Sequence, residues 1–137
     1  MRRFASGMTA AALLACLAGC GDAATGNGDR PGTATVSLMS NNSDDGAISL
    51  TVRGPGLATA TALDSSHTVF SRLASSTELK VIVLGGSIGA GPLFRLPVGA
   101  SDRPSAYTIT IEQVAMLTDS LRSDISGYHA SLAASTN

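Results

Sequence analysis

The chain has 137 residues and a mass of 13.7 kDa, with 9 basic and 10 acidic residues for a net charge of −1. At that length one domain is the default, and 44% apolar against 14% charged residues argues against a disordered chain. The balanced charge, with no basic cluster, excludes the phosphate contacts on which nucleic-acid binding rests. The aromatics are Phe4, Phe70, Phe94, Tyr107 and Tyr128, with no Trp, which is thin material for stacking on bases or sugars.

Arg2 and Arg3 open the chain, and the apolar stretch from Phe4 to Leu17 follows. A basic start and a short apolar core have the layout of a secretory signal. The stretch falls short of the roughly 20 apolar residues that a transmembrane helix needs. It ends in Leu17-Ala18-Gly19-Cys20. This run resembles the lipobox of bacterial lipoproteins, and the resemblance covers residues 1 to 20. It implies a diacylglyceryl group on the Cys20 thiol, cleavage between Gly19 and Cys20, and further acylation (commonly palmitate) of the new amino terminus. Two or more acyl chains give stable anchoring, because each buried CH₂ contributes about 0.8 kcal/mol and one chain alone is marginal. Gly21 stands where an Asp would resemble the inner-membrane retention mark of Gram-negative lipoproteins, which favours the outer membrane. Cys16 would leave with the signal and Cys20 would be lipidated, so no thiol is left for a disulfide, a metal or nucleophilic catalysis. Loss of Arg2 and Arg3 lowers the basic count from 9 to 7, so the acyl chains on Cys20, not a basic patch, would be the membrane contact.

Residues 20–32 are the lipidated Cys and a linker rich in Gly with no large apolar side chain, flexible by composition. From residue 33 to 137 the pattern has period two, the signature of strands. In chain order the expected strands are Thr35–Met39, then Ile48, Leu50 and Val52 alternating with Ser49, Thr51 and Arg53, then Leu57–Ala62 and His67–Leu73. Next come Leu79, Val81 and Val83 alternating with Lys80 and Ile82, and Phe94, Leu96 and Val98 alternating with Leu93, Arg95 and Pro97. Tyr107, Ile109 and Ile111 alternate with Thr108, Thr110 and Glu112, and Gly127–Ala133 closes the series. Beyond Glu112 the strand is expected to run to about Ala115 and end in a loop or helical turn. Turn clusters fall at 41–46, Gly54-Pro55-Gly56, 64–66, Gly85-Gly86 and 99–104. Seven or eight short strands at such spacing predict an all-β fold, a small antiparallel β-sandwich. A domain of this size buries more than about 60% of its unfolded-chain surface and needs no disulfide. From 46 to 98 the strand–turn order resembles immunoglobulin-like and cohesin-like modules of bacterial secreted proteins, which implies the sandwich and nothing about its function.

Four groups of residues invite chemistry. Gly85-Gly86-Ser87-Ile88-Gly89 matches the G-x-S-x-G elbow of α/β-hydrolases, and Asp102, Asp119 or Asp124 and then His129 follow in the Ser–Asp–His order. No helix can follow Ser87 across Gly89, Gly91 and Pro92, so a glycine-rich hairpin turn is expected instead. Asn42, Asp44 and Asp45 gather oxygens in one loop that Ca²⁺ could use, but they lack the six to eight ligands that it takes, and a metal-free turn is expected. His67 and His129 have no zinc-ligand spacing and are expected at the surface. Glu78 and Glu112 could form a glycosidase pair, but nothing in the sequence sets them across a cleft. Tyr107 and Tyr128 could stack on a sugar, although Tyr107 shares its phase with Ile109 and is expected in the core. The expectation is therefore a lipid-anchored envelope protein without catalytic, metal or cofactor residues. Its partners would be the membrane and an envelope protein or glycan. A carbohydrate- or calcium-binding module is the alternative, and a hydrolase using Ser87 comes third.

Overall fold

The computed structural model describes residues 29–135. Leu17, Ala18, Gly19, Cys20 and the linker to residue 28 lie outside the described residues. The period-two segments form β1 (Gly32–Met39), β2 (Asp45–Arg53), β3 (Thr61–Ala62), β4 (His67–Ser75), β5 (Glu78–Ile88), β6 (Gly91–Val98), β7 (Thr108–Met116) and β8 (His129–Ala134). A single 3-10 turn at Pro104–Ala106 precedes β7. Among the described residues there is no α-helix, and no helix long and apolar enough to cross a membrane. After Met116 the chain turns back, and Leu121 bridges to Ala115.

The strands build two four-stranded antiparallel sheets, ordered β3-β6-β1-β8 and β4-β5-β2-β7. β4 pairs with β5, β3 with β6, β2 with β7 and β1 with β8. The chain is thus one long hairpin with its tip at Ser76 and Thr77, rolled into two layers in the manner of a jelly roll. Further rungs of β1 with β6 and β2 with β5 complete each sheet. Ile48, Leu50 and Val52 of β2 and Leu79, Val81 and Val83 of β5 share the interior with Val36 and Leu38 of β1 and Phe94 and Leu96 of β6. All are at most 2% exposed. Each such side chain contributes about 1.5–3 kcal/mol by leaving water.

The alternation departs from expectation where the ladders shift register. Simple alternation predicts Leu93 on the outer phase, yet Leu93 and Phe94 are both buried. Val36 faces Phe94 while Ser37 faces Pro92, so Leu93 is an extra residue in a bulge, and the pleat restarts there. Gly85 and Gly86 are also not the expected turn. They continue β5, in a stretch where Ala47 faces Leu84 but Asp45 faces Ile88. The extra residues belong to a bulge beside β2, and the turn itself falls at Gly89 and Ala90. Ile109 and Ile111 face inward but are only partly buried, because β7 lies at the sheet edge.

Tyr107 is buried and ties two loops together. Its hydroxyl accepts the Ala100 N–H at 2.9 Å and donates to the Pro55 carbonyl at 2.8 Å. The ring lies over Gly54, where a Cβ would stand 2.2 Å from Tyr107 Cδ1. Gly54 also has φ of +157°, so both space and backbone require glycine.

Candidate functional site

The outer face of the β4-β5-β2-β7 sheet carries the side chains that the core does not use. Cross-strand pairing sets them in rows. Thr68, Leu84, Ala47 and Ala115 form one row, and Phe70, Ile82, Ser49 and Gln113 the next. Arg72, Lys80, Thr51 and Thr110 form the third. In the first two rows Phe70 (57% exposed), Ile82 (47%) and Leu84 (40%) stand in solvent, and Leu121 (61%) stands beside Ala115. Ala47, Ser49 and Ala115 are small, so a depression of about 190 Å³ opens between Ile82 and Leu121. Large apolar side chains flanking small ones make a shape into which a foreign side chain can seat.

The third row begins a charged end. Lys80 Nζ lies 2.6 Å from Glu112 Oε1 and 3.8 Å from Glu78 Oε1, and Glu78 accepts the Arg53 Nε–H at 2.8 Å. Lys80 also donates to the Thr51 hydroxyl at 2.7 Å, and Thr51 donates to Glu112. Alternation predicts an exposed Thr51, but it is 1% exposed. The stems of Lys80 and Glu112 lie over it, as long charged side chains commonly cover a sheet face. Glu78 and Glu112 are therefore brought together, with a lysine between them. Hydrogen bonds from Lys80, and then from Thr51, hold the Glu112 carboxyl below the ordinary glutamate range. A glycosidase acid requires the opposite shift.

At the opposite end of β2 the loop from β1 leads into Asp45, which is fully buried. Both neighbours of β2 shift register between Asp45 and Ala47, which turns this odd-numbered residue inward against the even-numbered phase of Ile48, Leu50 and Val52. Its carboxylate accepts the Arg122 Nε–H at 2.6 Å and the Tyr128 hydroxyl at 2.7 Å. Asn42 Nδ2 donates to that hydroxyl at 2.8 Å, and Arg122 also pairs with Asp44. Burial, and then the bond to Asp45, raises the Tyr128 hydroxyl above its ordinary value, and the bond to Asp45 raises Arg122 further. The carboxylates of Asp44 and Asp45 and the amide nitrogen of Asn42 thus sit in a network whose cation is a guanidinium. No cluster of three or more His, Cys, Asp or Glu side chains with metal-ligand geometry occurs among the described residues. Tyr128 and Tyr107 are both buried, so neither presents a ring for stacking on a sugar. Arg122 and Leu121 also border two open clefts of about 270 and 280 Å³.

Ser87 does not stand on a strand-to-helix elbow. It lies in β5, and its hydroxyl donates to the Ser43 carbonyl. His67 Nδ1 pairs with the neighbouring Ser66 hydroxyl, and His129 is exposed at the start of β8. Asp124 accepts the Ser126 N–H, which holds its carboxyl low, and Asp119 occupies a left-handed turn. Asp102 accepts the Arg30 N–H. None of these contacts joins the Ser, Asp and His of the sequence order to one another. Alternation in the sequence predicts Ile82 on the outer phase but not the apolar row that it forms with Phe70 and Leu84. Period-two analysis ranks a strand by its buried face, and the signal was an outer phase too apolar for solvent alone: Phe70, Ile82 and Leu84.

Comparisons with protein families, curated proteins and solved structures give no match for this chain.

Proposed function

We propose that the protein is a lipid-anchored component of the bacterial cell envelope with a non-enzymatic, interaction role. The anchor is Cys20 at the end of Leu17-Ala18-Gly19-Cys20, and the linker that follows presents the sandwich at the membrane surface. Gly21 after the cysteine favours the outer membrane. The observation that carries the interaction role is the apolar row on the outer face of β4-β5-β2-β7, where Phe70, Ile82 and Leu84 stand exposed beside a small-residue depression. Contiguous exposed apolar surface rimmed by polar groups marks binding sites for other macromolecules. The charged row of Lys80, Glu112, Glu78 and Arg53 forms such a rim on one side. The partner that fits is an envelope protein presenting an apolar side chain, because the aromatic stacking that a glycan needs is missing from this face apart from Phe70.

Two substitutions test the two halves separately. Cys20→Ser should give an uncut or lipid-free form, read by mass and by release from membranes, and unchanged mass and retention would remove the anchor. Ile82→Glu with Leu84→Glu should abolish capture of envelope proteins by the lipidated chain while leaving its circular dichroism unchanged. Capture equal to the parent would remove the interaction surface.

A further inference from the structure

β4 is an edge strand: among the described residues it pairs with β5 on one side and with no strand on the other. It runs for nine residues, long for an edge, with a bulge at its end between Leu73 and Ser75, and carries one full charge, Arg72. Edge strands are usually short, bulged or charged, because a free row of backbone donors and acceptors is a template for another strand. Phe70 is 57% exposed and Leu73 47% exposed on this strand. Arg72 is exposed and forms no ion pair among the described residues, unlike Lys80 beside it in the same row. A long edge with unspent apolar and cationic side chains is a surface awaiting a strand.

The sequence of β4 identifies that strand. Val69-Phe70-Ser71-Arg72-Leu73 reads nearly the same in both directions, with a small Ser at the centre, a large planar group on each side and an aliphatic residue beyond. We propose that β4 pairs antiparallel with β4 of a second copy of this chain, about a two-fold axis at Ser71. The proposal rests on the reading of this sheet as an interaction surface and names the partner. In that register Phe70 faces the partner's Arg72 and Arg72 faces the partner's Phe70. A guanidinium over a phenyl face is an attractive pair, because the ring's negative face meets the cation. Val69 faces the partner's Leu73 on the inner side, which covers the exposed Leu73. A two-residue slip one way opposes Arg72 to the partner's Arg72, and like charges directly opposite are destabilising. The slip the other way pairs Phe70 with the partner's Phe70 but leaves Arg72 against the partner's Thr68 and Leu73 against the partner's His67. Only the Ser71 register matches every large side chain with a complement. The two outer faces then lie on the same side, so both apolar rows join across an eight-stranded sheet.

The full-length lipidated chain in detergent is the sample for the test. A photoreactive benzoyl-phenylalanine at position 70 should give, on illumination, a covalent dimer whose cross-link maps to the Arg72 region of the second copy. Two differently tagged chains should co-purify. Phe70→Asp should lower that capture by about tenfold or more, the loss expected on withdrawing one buried aromatic side chain. Arg72→Glu should lower it too, and both positions are exposed, so circular dichroism should stay at the parent's. Adducts only to a different protein would overturn the self-pairing and keep the interaction surface. A dimer cross-linked elsewhere would overturn the register and with it the proposal. A monomer with no adduct would remove both.

Discussion

Asp45 shows how a charge is kept inside an apolar fold. The carboxylate is 0% exposed, and its attachments are the Arg122 guanidinium and the Tyr128 hydroxyl. Removing one member of a buried pair leaves the other without compensation, which is where the large costs arise. Asp45→Ala should therefore cost about 3 kcal/mol or more in urea unfolding. Phe94→Ala should cost about 3–5 kcal/mol, because the ring is fully buried between two sheets and a cavity would remain. Lys80 is the contrast. Its stem covers Thr51 and its ammonium is bonded to Glu112, so it is less dispensable than an isolated surface lysine. The Glu112 carboxyl, held low by Lys80 and Thr51, gives a pH dependence with a definite sign. A carboxyl depressed in the folded state stabilises above its unfolded value, and that contribution is lost as pH falls through the folded value. The melting temperature should thus drop on acidification below the ordinary glutamate range, and Glu112→Gln should show a smaller drop. An equal drop in both would show that the carboxylate has no such role.

At the scale of elements, alternation located the strands because pleating forces it: Ile48, Leu50 and Val52, or Leu79, Val81 and Val83, can share one face only as a strand. The bulges were not legible. Nothing local marks Leu93 as an extra residue, since the mismatch exists only between β1 and β6. The glycines at 85 and 86 carry the composition of a turn, yet they lie in a bulge of β5. The Asp45 network escaped for the same reason. Asp45 lies 77 residues before Arg122 and 83 before Tyr128, and their types suit a solvated loop as well as a buried cluster. Gly54 was legible as a turn but not as the floor under Tyr107. Gly54→Ala should lower the melting temperature more than an Ala at Gly86, where a Cβ would meet open space. Equal losses at the two sites would refute the close approach.

For the whole molecule, the nested pairing makes nearly every rung long-range. Only the β4–β5 rung joins neighbours in the chain, and β3, β2 and β1 in turn find β6, β7 and β8 across a widening separation. Folding speed falls as such separations grow, so refolding from urea should take milliseconds to seconds, in the range of β-sandwiches rather than helical bundles. A microsecond phase carrying the full amplitude would contradict the rolled-hairpin wiring.

The same wiring fixes a timetable for the chain as it is made. Its tip, at Ser76 and Thr77, lies near the middle of the sequence, so every strand before it is born without its nested mate. β4 and β5 can zip as soon as both are present, but β1 must wait for residues 129–134. The final rung brings the Ser135 N–H onto the Thr33 carbonyl and sets the two ends of the domain side by side. A chain that lacks β8 therefore leaves its first strand with a bare flank, and the sandwich is finished only when β8 has docked.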